Sequence, residues 1–336
     1  MAPRAGFVTG GCWCFDRNKT IPFWPGEDQS VSVQSVLTRG GGSACNFAIA
    51  MRRLDPAIPI ETIGLVGNDE EGRFLIAECD RHRIDRSRLH ATDAARTHLT
   101  DAFCSERSGR RTHFFEAGTS DLLAPAHFDF TATTGRFLHL GLPGIHRLMD
   151  ARNGGDANGW VSVLRAARAA GLRTNLELVT IDADRLASLA RPCLSLLDTL
   201  VVNDYEIGAL AGIDTVAGGV TDIAACLHAA RVIMELGAMS VLAVHYTMGG
   251  FALSRDGALA QQGSVAIPPE LVAGANGAGD AFAAGFLRVL HDDGPLDEAL
   301  ALGHATAAAS LRHIGTTDAI ETRAECLALA ERWGWR

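Results

Sequence analysis

The sequence predicts an α/β fold: a mostly parallel sheet with helices on both faces, and a second, small sheet beside it. Three features carry this expectation. From residue 136 onward short apolar strand patterns alternate with helical ones, the signature of βα units building a parallel sheet. Two earlier stretches, 12–38 and 96–117, are strand-rich with no helix of their own, and their pairing would give one small sheet covering a cleft. Two glycine-rich turns, Gly40-Gly41-Gly42 and Gly274 to Gly279, run directly into helical patterns. With 336 residues, 47% hydrophobic and 21% charged, the chain can bury a sizeable core as one domain over 1–336 with insertions.

The elements follow in order. Gly6–Gly11 reads as a first strand ending in glycines, and Cys12-Trp-Cys-Phe-Asp16 supplies no third glycine to make a dinucleotide fingerprint. Residues 12–38 read as irregular, with a turn at Trp24-Pro-Gly-Glu, then strand-like over Gln29–Thr38. The glycines at 40–42 break into a helix over Ser43–Leu54, with Ser43 as N-cap. A buried strand at Ile60–Val66 and a helix at Asp69–Arg81 come next. Thr97–Glu106 and Arg111–Glu116 form a hairpin around Arg107-Ser-Gly-Arg110. Strands are expected at Arg136–Leu140, Leu172–Glu177, Thr199–Asn203 and Ser240–Tyr246, with helices at 160–170, 184–190, 204–211 and 221–236. Gly171 and Gly237 serve as helix stops. Phe251–Leu253 and Ala258–Val265 flank a turn, and helices over 280–291, 296–312 and the last residues close the chain. Ligands of such a sheet bind at the carboxyl ends of its strands.

Composition removes several functions. The net charge of −9 argues against a nucleic-acid surface. Lys19 is the sole lysine, which excludes a Walker A loop and any Schiff base formed elsewhere. Phosphate, if handled, falls to backbone N–H groups and arginines. No apolar run approaches the ~18 residues of a membrane span, and Met1-Ala-Pro-Arg-Ala begins no apolar leader, so a cytoplasmic protein with eight reduced thiols is expected. Cys12 and Cys14 form a C-x-C, but no second Cys/His pair follows at zinc-site spacing.

Asp280 is the residue needing a reason. The N–H groups of the turn before it have no helical acceptor and favour anions, and Gly277 and Gly279 let a phosphate approach the backbone. A carboxylate there is either a general base beside a transferring phosphoryl group or an ordinary acidic first turn. Asn46 offers donor and acceptor for hydroxyls, or sits on a solvated face after a tight turn. Asp16, just past the first strand, could accept from two hydroxyls, or be a turn residue. Asn203 and Glu206 could orient Mg²⁺ through water, or form an N-cap and N3 pair. Thr247-Met-Gly-Gly250 follows another buried strand and could meet a nucleotide, or simply turn.

In order and spacing these residues resemble the PfkB (ribokinase-like) carbohydrate kinase family over essentially the whole chain. Gly41-Gly-Ser-Ala-Cys-Asn46, with Gly64 and Gly67-Asn-Asp69, is similar to its N-terminal signature, and Asn276-Gly-Ala-Gly-Asp280-Ala-Phe-Ala-Ala-Gly-Phe286 to its C-terminal one. The resemblance implies a Rossmann-like αβα three-layer sandwich with a small β-sheet lid, pairing into a homodimer. It implies an ATP- and Mg²⁺-dependent kinase with Asp280 as base and the N–H groups of Gly277, Ala278 and Gly279 as anion hole. Asp16, Gly41, Gly42 and Asn46 would hold the acceptor. Asn203, Glu206, Thr247, Gly249, Asn276 and Gly315 would serve the nucleotide, Glu206 also Mg²⁺ through water. Three departures stand out. Gly274-Ala275 replaces the usual Asp-Thr, which puts monovalent-cation activation in doubt. Ser43 stands where ribokinases proper carry Lys. Ala252 replaces the last glycine of the nucleotide turn.

The acceptor is less determined. A phosphorylated sugar would call on Arg107, Arg110 and Arg111, for which a solvated hairpin turn is the favoured reading. A nucleoside would call on Trp13, Trp24, Phe114 and Phe115, which equally suit a lid core or a dimer contact. A small sugar, sugar acid or polyol is the central expectation. Outside this class stand a sugar-binding regulator without activity, disfavoured by the intact Asp280 turn, and a dehydrogenase resting only on Gly10-Gly11.

Overall fold

In the computed structural model, which describes residues 4–109 and 111–336, a nine-stranded sheet separates two hydrophobic cores. Strands follow the chain as β1 (Phe7–Gly11), β2 (Cys14–Ile21), β3 (Ser35–Gly41), β4 (Ile60–Gly67), β5 (Asp85–Thr92), β6 (His98–Ser105), β7 (Arg111–Glu116), β8 (Phe137–Gly141), β9 (Arg173–Leu176) and β10 (Thr199–Asn203). The two-residue β11 (Val216–Ala217) and β12 (Val220–Thr221) precede β13 (Val241–Tyr246), β14 (Gly249–Ser254) and β15 (Leu259–Gly263). Helices are α1 (Ser43–Leu54), α2 (Glu70–Arg81), α3 (Arg147–Asp150), α4 (Gly159–Ala169), α5 (Ala183–Ala190), α6 (Asp204–Ala211), α7 (Ile223–Leu236), α8 (Ala278–His291), α9 (Leu296–Leu311) and α10 (Arg323–Trp333).

The large sheet has the order β15-β14-β13-β10-β9-β8-β1-β4-β5. Pairing is parallel from β5 through β13 and antiparallel only at the β13-β14-β15 edge. Alternation along each strand sends neighbours to opposite cores. Phe7 packs with α1, α2, α8, α9 and α10, whereas Val8 packs with α4 to α7. This is the three-layer αβα sandwich. Strands buried on both faces tolerate a charge only when it is fully bonded: Glu61 of β4 pairs with Arg88 and accepts from the Thr133 hydroxyl and the N–H groups of Thr134 and Gly135.

A separate four-stranded sheet, β3-β2-β6-β7, leaves the large sheet after Gly11 and returns to it at Gly42, so it is attached at the carboxyl end of β1. The structure corrects the sequence reading here in three places. Cys14–Ile21 is a regular strand, β2, although its Asp-Arg-Asn-Lys run reads as irregular. Its polar Asp16 and Asn18 are the buried ones, while Arg17 and Lys19 turn outward to Asp101. β3 begins at Ser35, not Gln29, and runs on through Gly40 and Gly41 because Cys14 pairs with Gly41. β5 was not expected at all: only Leu89 in it is buried, so this edge strand lacks an apolar period.

Ser43 is not the N-cap of α1. Gly42, at φ 84°, occupies that position, and the Ser43 hydroxyl is buried without a partner. Among the described residues no helix is long and apolar enough to cross a membrane.

Glycines let α8 and α9 approach closely. A Cβ on Gly285 would stand 2.6 Å from the Leu302 carbonyl oxygen, and one on Gly303 2.9 Å from the Phe282 ring. Backbone cannot yield as a flexible side chain can. Gly285→Val is therefore expected to cost at least the ~1–3 kcal/mol of an overpacked core, with no helix-propensity gain large enough to offset it. Chemical denaturation measures this, and a midpoint equal to wild type would contradict the close crossing.

Candidate active site

The two glycine turns converge. At the end of β3 a Cβ on Gly41 would overlap the Asp16 carboxylate, 2.0 Å from Oδ2, so Asp16 lies directly over bare backbone. Gly277, at φ 71°, caps α8, and a Cβ there would stand 2.7 Å from Thr316. The first turns of α1 and α8 meet through side chains: Asn46 Nδ2 donates to Asp280 Oδ2 at 2.8 Å, while Asn46 Oδ1 accepts from Thr316 Oγ1 at 2.9 Å. Both ends of the amide are thereby used, which fixes its orientation. Asp280 is the third residue of α8 and partly open to the cleft, beside the unbonded N–H groups of the helix start.

Behind Asp280 runs a buried polar chain that the sequence reading did not identify. The carboxyl of Glu177, just past β9, lies against that of Asp280, each bearing on the other's proton affinity. His139 Nε2 lies 2.5 Å from Glu177 Oε2, and Asn175 Nδ2 lies 3.1 Å from His139 Nδ1. Burial pushes the imidazole pKa down to about 3, so it is neutral, and its stacking on Phe47 at 3.9 Å holds it in plane. With Nδ1 accepting from the Asn175 amide, the ring proton sits on Nε2 and is donated to Glu177. Glu177 is pushed up to about 7 by burial. Asp280 is raised well above the ordinary carboxylate range, first by burial and then by the neighbouring Glu177 charge. Two carboxyls in contact share one proton near neutrality. The signal available in the sequence was a carboxylate at the carboxyl end of a buried strand.

On the far side of the α8 turn lies a cavity of about 540 Å³ whose lining includes Thr180, Asn203, His245, Thr247, Ala278 and Gly279. Its inner wall is apolar, with Phe282 and Leu311, and His304 adds a neutral imidazole whose Nε2 is buried without a partner. Four of the sequence-proposed residues thus fall together here. Glu206 sits just behind Asn203 in a reciprocal cap: Glu206 Oε2 accepts from the Asn203 N–H at 3.0 Å and the Asn203 side chain from the Glu206 N–H at 2.8 Å. Burial raises Glu206 to about 7. Asn276 lies outside the cavity lining, although its neighbours Ala275 and Ala278 are in it. Gly249 lies outside the lining, paired with Tyr246 and Gly263 in the sheet, and Gly315 is packed against Asp318.

On the near side the small sheet supplies Asp16, raised to about 6 by burial and bonded by Cys14 Sγ at 3.1 Å. Arg111 does not follow the solvated reading. It stands on β7, its guanidinium 3.0 Å from the Cβ position of Gly274, and its buried Nη1 has no partner. Arg107 instead covers the Phe23 ring at 4.7 Å, and Arg110 lies outside the described residues. Trp13 belongs to the main core, donating to Thr62 at 2.8 Å, so it is no stacking platform. Trp24 stacks on Phe114 on an exposed face.

Comparison with known proteins shows the family of the chain. The sequence model for pfkB family carbohydrate kinases matches residues 13–323. The chain is 23% identical to a ribokinase of Haemophilus influenzae over 320 residues, 93% of this chain and 94% of that protein. Among solved structures it superposes on Arabidopsis thaliana ribokinase complexed with ribose and ATP with a TM-score of 0.77 at 19% identity, covering 97% of this chain and 98% of that one. It superposes on a nucleoside kinase of Methanocaldococcus jannaschii with a TM-score of 0.72 at 17% identity, over 98% and 100% of the chains.

The Asp280–Glu177 pair makes a stability prediction. Carboxyls whose folded pKa is raised bind protons better folded than unfolded. Their contribution is full below the unfolded values and is lost as pH rises through the folded ones. Glu177→Gln keeps the acceptor for His139 and removes the charge. It should be stabilised relative to wild type progressively between about pH 4.5 and 7.5, by on the order of 1–3 kcal/mol. Thermal melts of both proteins across that window test this, and parallel curves would contradict a shared proton.

Proposed function

This chain belongs to the pfkB family of carbohydrate kinases, and from that premise we propose that it is an ATP-dependent sugar kinase. It transfers the γ-phosphoryl group to a hydroxyl of a small sugar, sugar acid or polyol. The carrying observation is Asp280, a desolvated carboxylate of raised proton affinity set beside the free N–H groups of a glycine-rich helix start. In that position it takes the proton of the acceptor hydroxyl while the N–H groups of Gly277, Ala278 and Gly279 stabilise the transferring group. Asn46 orients the base, Glu177 keeps its proton affinity high, and His139 holds Glu177. Asp16, with Gly41 and Gly42 beneath it, accepts from the acceptor's other hydroxyls.

The 540 Å³ cavity takes the nucleotide: Thr247 and Asn203 at its polar end, Phe282, His304 and Leu311 around the base. Gly249 and Gly315 serve it indirectly, by close packing of the surrounding backbone, and Asn276 from the turn itself. Mg²⁺ suits the donor set near Asn203. Glu206 Oε2 is taken by the cap, but Oε1 has only the Thr180 hydroxyl at 3.5 Å, and hard oxygen donors with room for water are what this ion prefers. Held there through water by Glu206, Mg²⁺ would supply charge to neutralise phosphate.

Within the acceptor set, Arg111 favours a sugar acid, since its buried Nη1 is a charged donor without a hydrogen-bond acceptor. A nucleoside is the lesser reading, because Trp24 and Phe114 stack on each other.

The small sheet acts as a lid and pairs between two copies. Trp24, Val36 and Phe114 are 48%, 54% and 53% exposed, a clustering of large apolar groups that a monomer rarely leaves in water. Sedimentation should give a homodimer that Val36→Glu converts to monomer. A monomeric wild type would refute the pairing.

The kinase reading is tested by ADP release across sugars, sugar acids, polyols, sugar phosphates and nucleosides. Asp280→Asn should lower the rate on the productive acceptor by on the order of 10²–10⁴-fold. Near-wild-type turnover in that variant would remove Asp280 as base.

A further inference from the structure

The function proposed above uses neither Cys12, Cys14 nor His98, yet the small sheet gathers them at one point. Cys12, in the link between β1 and β2, and Cys14, the first residue of β2, flank Trp13 and bring their thiols together. β2 and β6 run parallel with Cys14 opposite His98, which sets the imidazole beside both thiols. The three ligand atoms all lie within 4.8 Å of one another, and Cys12 Sγ is 3.9 Å from His98 Nδ1. The residues are 2%, 4% and 2% exposed. Sequence spacing alone gave no second half to the C-x-C, and the sheet supplies it from 84 residues beyond Cys14.

We propose that Cys12, Cys14 and His98 form a binding site for one thiophilic divalent ion of the zinc class. Tetrahedral zinc, with bonds of about 2.3 Å to sulfur and about 2.0 Å to nitrogen, holds its ligand atoms roughly 3.5–3.8 Å apart. The cluster reaches that spacing by movements of about 1 Å or less. Charge favours the ion as well. Two thiolates and a neutral imidazole cancel a dication, so the loaded site is neutral, as burial demands. Loading releases both thiol protons to solvent. One is the proton Cys14 now donates to Asp16 Oδ1 at 3.1 Å, and Ser120 Oγ, 2.8 Å from His98 Nδ1, gives up that nitrogen to the metal. A water or the Ser120 hydroxyl, 3.7 Å from Cys12 Sγ, completes the fourth position.

The site is tested on the reduced, full-length protein with Co²⁺ as probe, with no need of any substrate. Titration should give thiolate-to-cobalt charge-transfer absorption and the ligand-field bands of tetrahedral cobalt, saturating at one equivalent and erased by Zn²⁺. Cys12→Ser and His98→Gln should each weaken Co²⁺ binding by on the order of 100-fold or more, while Cys104→Ser, altering a thiol outside the cluster, leaves it unchanged. Absence of the charge-transfer band at one equivalent overturns the proposal, as does equal affinity in those two variants. Should they fail to fold, zinc-edge X-ray absorption of wild type loaded with one equivalent decides alone. Two sulfur neighbours support the site, and a shell of nitrogen and oxygen only overturns it.

Discussion

One hydrogen bond, from Asn46 Nδ2 to Asp280 Oδ2, spans 234 residues of chain and fixes the working end of the molecule. It holds the first turn of α1 against the first turn of α8, so two helix N-termini face one space. Each helix start carries unbonded N–H groups and a partial positive charge. Placed together they make a region where anionic charge is welcome. Thr316 closes the arrangement by donating to the same amide, so Asn46 cannot rotate without breaking two bonds. The close crossing of α8 on α9 at Gly285 and Gly303 then keeps α8 itself from shifting.

The carboxyls of the cleft are expensive, and their environment says what the expense is for. Asp16, Glu177, Glu206 and Asp280 all have their proton affinity raised, in each case chiefly by burial. A structural carboxylate is normally treated as Glu61 is, surrounded by donors and paired with Arg88. Among the described residues, none of the four cleft carboxyls has an arginine partner; each accepts from neutral donors instead. Asp280 has one amide donor and a neighbouring acid, which leaves it poised to take a proton and not to rest as an ion.

Much of this was legible in the sequence, and the failures have a common cause. Strands of the large sheet bury both faces, so β1, β4, β8, β10 and β13 appear as apolar runs and were placed to within a residue or two. Glycine turns need no side chain to be visible, so Gly41, Gly42 and the Gly277–Asp280 turn were found and do converge. β2 was hidden because its inward face lines a polar cleft, so Asp16 and Asn18 stand where a core strand would put leucine. β5 was hidden because an edge strand needs little apolar surface. His139 escaped because it looks like a single polar interruption of a buried strand, and Glu177 because it follows a strand already polar at Arg173, Thr174 and Asn175. Only the parallel register, His139 opposite Asn175, makes them a chain.

That last point extends to the small sheet, where the same ladder serves two ends. Pairing Cys14 with Gly41 on one side brings Asp16 over bare glycine backbone; pairing Cys14 with His98 on the other brings the thiols to an imidazole. A one-residue slip of β2 against either neighbour would turn Asp16 away from the cleft and Cys14 away from His98 together. Register is therefore under a double constraint, and the outward salt bridges of Arg17 and Lys19 to Asp101 add a third contact that only this alignment satisfies. The polar character that made β2 unreadable as a strand is what pins it as one.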